Sequence, residues 1–169
     1  MKKALLMAPL LALLTAAPAM ASSMPKADFS QPSLGLGLGN GLSLSIDIPL
    51  DRELSLGGAI GAPYFRTGNA DIRLLYKLLR ERFTLALLVG AQASGPRFSE
   101  FNYFQPMAGV ALAYPFNAKL TGRLNVVVGF FDRGVTPSGL ELGYKFNRDL
   151  EGTIGWNGRG DVLGLKFHF

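Results

Sequence analysis

The chain has 169 residues, room for one domain, with 49% hydrophobic and only 17% charged side chains, against roughly 25% charged in ordinary soluble domains. Cysteine is absent, which excludes a disulfide framework, a thiolate metal site, a cysteine nucleophile and a lipoprotein anchor. Of 17 basic and 12 acidic residues, two lysines fall in an N-terminal export signal, and the small, scattered excess of positive charge that remains gives no footprint for nucleic acid.

That signal comes first. Lys2 and Lys3 supply a positive n-region, Ala4 to Ala17 an apolar run, and Ala19-Met20-Ala21 a small-x-small cleavage pattern. The run is short and interrupted by Pro9, so cleavage after Ala21 is expected rather than a spanning helix. Residues 22–28 read as a flexible leader, and a single domain is expected over 29–169.

From Leu34 onward apolar residues alternate with small or polar ones, the period-2 signature of a strand with two unlike faces. The first run holds Leu34, Leu36, Leu38, Leu42, Leu44, Ile46 and Ile48. Gly39-Asn40-Gly41 divides it into two strands, Phe29–Leu38 and Leu42–Leu50, because a three-residue turn keeps Leu38 and Leu42 on one face. Further runs are led by Leu54, Ile72, Phe83, Ala108, Leu120, Leu140, Leu150 and Leu163. Turn chemistry separates them at Pro49-Leu50-Asp51-Arg52, Thr67-Gly68-Asn69, Arg80-Glu81-Arg82, Pro115-Phe116-Asn117, Asp132-Arg133-Gly134, Asn147-Arg148-Asp149 and Asn157-Gly158. Pro32 and Pro106 are expected to mark strand starts, since proline cannot donate to a ladder. No helical period competes after the signal. The fold class expected is all-β: a closed antiparallel up-and-down transmembrane β-barrel, with ten strands favoured and eight the alternative.

Alternation alone leaves open which face looks outward. The non-apolar face is small and sparsely charged (Ser55, Gly57, Ala59, Ala86, Gly109, Ala111, Ala113, Asn125, Gly143, Thr153, Gly155), which suits a cramped lumen better than a solvated surface. Aromatics gather at strand ends: Tyr76, Phe83, Tyr114, Phe116, Tyr144, Phe146, Phe167 and Phe169 at one set, and Tyr64, Phe65, Phe104, Phe130, Phe131 and Trp156 at the other. Two aromatic girdles around an aliphatic band are what two membrane interfaces select.

The chain ends Gly164-Leu165-Lys166-Phe167-His168-Phe169. This resembles the final strand of bacterial outer-membrane β-barrel proteins, whose assembly signal runs polar-x-Gly-x-x-aromatic-x-aromatic. Gly164, Phe167 and Phe169 fit; Val162 occupies the polar position, with Asp161 one place away. The resemblance covers the last strand only. It implies insertion by the barrel assembly machinery into the bacterial outer membrane, with the C-terminus periplasmic and outer-membrane lipids as the surrounding partner.

The charges on the lumen side are Asp47, Asp71, Arg73, Lys77, Arg123, Glu141, Lys145, Glu151 and Lys166, with His168 beside them. Their signs nearly cancel, so an internal salt-bridge network in a filled bore is the leading reading, and a narrow path for small solutes the alternative. A soluble barrel carrying an apolar ligand remains a third class. Catalysis is not expected: His168 is the one histidine, whereas enzymes on this scaffold use histidine with serine or acids at the outer rim. No metal ligand cluster and no cofactor motif is present in the sequence. Arg97, Phe98, Phe101 and Tyr103 form the most distinctive outer segment, a candidate contact surface for a partner or for lipid headgroups. The function expected is a structural or surface-interaction role in the envelope.

Overall fold

The computed structural model describes residues 31–39, 41–62, 68–95, 103–130, 138–156 and 161–169. The export signal, the leader, Arg97, Phe98 and Phe101 lie outside the described residues, as do the Asp132 and Asn157 turns.

Ten strands follow one another: β1 Ser33–Leu38, β2 Leu42–Pro49, β3 Leu54–Ala62, β4 Gly68–Arg80, β5 Thr84–Gly95, β6 Tyr103–Pro115, β7 Leu120–Gly129, β8 Gly139–Lys145, β9 Leu150–Trp156 and β10 Asp161–His168. Each pairs antiparallel with its neighbour in sequence, and β1 pairs with β10 to close the barrel. Closure removes the two free edges that an open sheet would expose to lipid without hydrogen-bond partners. The hairpin β1–β2 places Leu38 opposite Leu42, the register expected from the sequence. Gly41 there has φ 148°, a conformation that a side chain would strain.

Three turns at the end that carries the C-terminus share one construction. Asp51 Oδ1 accepts from the amides of Glu53 and Leu54, Asn117 Oδ1 from Lys119 and Leu120, and Asn147 Oδ1 from Asp149 and Leu150. A side-chain carbonyl or carboxylate thus satisfies two turn amides, which is why Asp or Asn recurs there. In the last two, Tyr114 packs edge-on to Phe116 and Tyr144 to Phe146. Phe116 lies over Gly122 and Phe146 over Gly152, so an aromatic ring covers both of these outward glycines.

Even-numbered residues of β1–β4, β6–β9 and odd-numbered ones of β5 and β10 face out. Leu36, Leu44, Ile60, Ile72, Leu87, Val110, Leu124, Leu142, Ile154 and Leu165 are among the large apolar side chains exposed there. Tyr114, Phe116, Tyr144, Phe146, Phe167 and Phe169 ring the C-terminal end, and Phe104, Phe130 and Trp156 the opposite end. The other parity is buried: Ser33, Ser43, Ser45, Asp47, Ser55, Asn69, Arg73, Arg123, Asn125, Glu141, Glu151, Thr153, Lys166 and His168. Apolar outside, with the buried charges inside, closed and even-stranded, this is the architecture of a transmembrane β-barrel.

Three local expectations need correction. Gly68 and Asn69 open β4 instead of forming a turn. Pro106 lies inside β6, paired with Ala91; its carbonyl accepts from Phe130 N where the β7 ladder has run out, so its missing N–H costs no ladder bond on that side. Phe83, assigned to the girdle, is only half-exposed.

Candidate functional site in the barrel lumen

On the side built by β1–β3 and β8–β10 the bore is polar and ionic. The buried apolar side chains gather on β4–β7, where Leu75, Ala86, Leu88, Met107, Ala111, Ala113 and Val127 form one cluster, beside the buried Asn69, Arg73, Gln92, Gln105, Arg123 and Asn125 of the same strands. A bore of glycine, alanine and paired ions alone is therefore not what this chain builds. The signal was in the sequence. Leu74-Leu75, Leu87-Leu88-Val89 and Val126-Val127-Val128 break the alternation, and an unbroken apolar run marks a strand covered on both faces.

Arg123 is the centre of one ionic group. It projects from the middle of β7, between Ala113 and Glu141 in the ladder, and is 1% exposed. Its Nη1 donates to Glu141 Oε1 at 2.9 Å and to Glu151 Oε1 at 2.5 Å, and its Nη2 to Glu151 Oε2 at 3.1 Å. Lys166 Nζ donates to Glu141 Oε1 at 2.6 Å, and His168 Nε2 lies 3.1 Å from Glu151 Oε2. Five residues from β7, β8, β9 and β10 so form one connected group, Lys166–Glu141–Arg123–Glu151–His168, in which carboxylates alternate with nitrogen-bearing side chains. Charges removed from water need such pairing, since burial of a lone ion is expensive.

A second group stands across the bore. Arg73, 1% exposed, points from β4 toward β2, with Nη1 3.3 Å from Asp71 Oδ1 and Nη2 3.8 Å from Asp47 Oδ1. The bond lengths are longer here, and the group is one cation against two carboxylates.

Glycine makes room for both groups. A Cβ on Gly57 would stand 2.6 Å from Asp47 Oδ1 and 3.1 Å from Arg73 Nε. A Cβ on Gly143 would come within 2.6 Å of Arg123 Nη1 and still closer to Glu151 Oε1. Each arginine head thus lies over a glycine of a neighbouring strand, where any side chain would occupy its place.

Of the charges read from the sequence as lumenal, Asp47, Asp71, Arg73, Arg123, Glu141, Glu151 and Lys166 enter these two groups. Lys77 and Lys145 do not. Both are half-buried at the mouth that carries the C-terminus, where Lys77 Nζ donates to the carbonyl of Arg52. Beside the apolar cluster, Gln105 Nε2 donates to Gln92 Oε1 at 3.1 Å, a buried amide pair that sequence reading missed; its only signal was lumen parity on adjacent strands. In the last strand, Phe167 faces outward and Phe169 is exposed. Gly164 lies on the lumen parity opposite Thr153 of β9, where a Cβ would stand 2.5 Å from the Thr153 hydroxyl and 3.1 Å from the carbonyl of Leu36. Tyr103 opens β6 with its ring exposed.

No protein-family model matches this chain, and no curated protein matches it by sequence. Among solved structures, the KdgM porin in complex with disordered oligogalacturonate is 9% identical with a TM-score of 0.48, the match covering 82% of this chain and 99% of that one. A triple mutant of the Rhodopseudomonas blastica porin is 18% identical with a TM-score of 0.34, covering 76% of this chain and 44% of that one. At such low similarity neither porin defines what this barrel does.

Proposed function

We propose that this chain is a small integral protein of the bacterial outer membrane whose bore is closed by its own side chains, and that it serves the envelope as a structural or surface-interaction element without catalytic activity. The observation that carries this reading is the burial of long side chains along the bore. Arg73, Leu75, Leu88, Met107, Gln92, Arg123 and Glu151 are each below 2% exposed, which supports a bore filled by its own side chains. A ten-strand wall is also well short of the roughly sixteen strands at which barrels enclose open channels. Export by residues 1–21, with cleavage there, and insertion by the assembly machinery through Gly164, Phe167 and Phe169 belong to the same proposal.

A narrow channel is the second reading. It is favoured by the polar stripe on β1–β3 and β8–β10, where the buried Ser43 Oγ and both carboxylate oxygens of Asp47 accept or donate no hydrogen bond among the described residues. Groups of that kind suit a wetted strip. Single-barrel recordings in planar lipid bilayers separate the two. The closed-bore reading expects no steady conductance from the unaltered protein; a steady ohmic conductance that rises in Arg123→Ser overturns it in favour of the channel.

A further inference from the structure

A cavity of about 370 Å³ lies at the mouth that carries the C-terminus. Ala113, Thr84 and Thr121 lie at its inner side, while Arg80, Arg82, Glu81 and Lys145 are among the residues around it. A bulge brings Arg80 there. The register of β4 against β5 shifts between Lys77 and Leu79, so that Leu79 pairs with Leu85 and Arg80 with Thr84. Even positions of β4 otherwise face lipid; the extra residue turns Leu78 and Leu79 both outward and returns Arg80 to the lumen side.

The cations of this cup differ from those deeper in the bore. Arg73, Arg123 and Lys166 each have carboxylate partners. Arg80, Arg82 and Lys145 form no ion pair among the described residues, and Glu81 is paired with none of them. Three uncommitted cations and one carboxylate therefore share one concave space that also offers the hydroxyls of Thr84 and Thr121.

We propose that this cup is an anion-binding site for a phosphate-bearing group presented at the mouth. A phosphate monoester carries about −1.5 to −2 charge at neutral pH, which matches the net excess of the cup. Guanidinium forks bind phosphate oxygens in pairs, and an ammonium adds a point charge. The group could be carried by a free solute or by a lipid, and the same chemistry recognises both. The site does not rest on the bore being closed, because it is built from the wall and turns at one end.

The test uses the full mature barrel refolded in zwitterionic detergent and in phosphatidylcholine nanodiscs. Glycerol 3-phosphate is titrated by calorimetry as the solute probe, and phosphatidic acid doped into the nanodiscs is the lipid probe, read by native mass spectrometry. Saturable binding of either is expected, and the probe that binds identifies the source. The combined variant Arg80→Gln, Arg82→Gln and Lys145→Gln is expected to weaken it by about tenfold or more, each charge-assisted bond being substantial. Arg52→Gln with Arg148→Gln, on two other turns of the same rim, leaves it unchanged. Heat-modifiable gel migration checks folding; should the combined variant fail to fold, Lys145→Gln alone replaces it, with a loss of about threefold or more. Absence of saturable binding with both probes, or an equal loss in the Arg52/Arg148 control, overturns the proposal.

Discussion

Replacing Arg123 by methionine tests how the bore is held together. Methionine keeps most of the chain length but removes three hydrogen bonds of 2.5–3.1 Å to Glu141 and Glu151. Lys166 still reaches Glu141, whereas Glu151, 0% exposed, keeps His168 as its one side-chain hydrogen-bond partner among the described residues. One buried carboxylate loses its main cation, and breaking a buried ion pair from one side costs about 3–5 kcal/mol. Adding Glu151→Gln removes the stranded charge, so the double variant is expected to be more stable than Arg123→Met alone by about 1–3 kcal/mol. The assay is urea unfolding of the barrel from lipid vesicles, followed by the fluorescence of Trp156, the only tryptophan in the chain, which sits exposed on the outer wall and moves from lipid to water. If Arg123→Met stays within about 1 kcal/mol of the unaltered protein, or Glu151→Gln restores nothing, the ionic group does not hold the bore as argued.

Two further outcomes follow from the same geometry. Gly143→Ala places a methyl on the Glu151 and Arg123 heads, which are tied to each other and cannot both retreat, so it is expected to lose about 1–3 kcal/mol in the same titration, while Gly143→Ala in the Arg123→Met, Glu151→Gln background costs markedly less. Leu124→Arg puts a charge in the middle of the outer wall, where Leu124 stands between Leu112 and Leu140 and is 43% exposed; a loss of about 2–4 kcal/mol in vesicles is expected, and a neutral result would mean that this face does not meet hydrocarbon.

Much of the wall was legible in the chain. The alternation from Leu34 to Phe169, the split at Gly39-Asn40-Gly41 and the Asx turns at Asp51, Asn117 and Asn147 are local properties of an extended backbone, and they set turn positions and which residues share a face. The membership of the lumen face was therefore readable for Asp47, Arg73, Arg123, Glu141, Glu151 and Lys166. Their partners were not. Lys166 is directly opposite Glu151 in the β9–β10 ladder, yet its ammonium bonds to Glu141, because Arg123 already occupies both oxygens of Glu151.

By itself, then, the sequence determined an antiparallel amphipathic wall, since the two-residue period belongs to each strand separately and needs no neighbour; the choice of ten strands over eight came with closure. Only the tertiary structure decided which buried groups stand beside the apolar cluster, that Arg80 turns inward past the β4 bulge, and that the buried ions divide into two groups. Those outcomes depend on closure: when β10 meets β1, side chains from strands far apart in sequence share one narrow interior, and their volumes and charges must be resolved against one another at once.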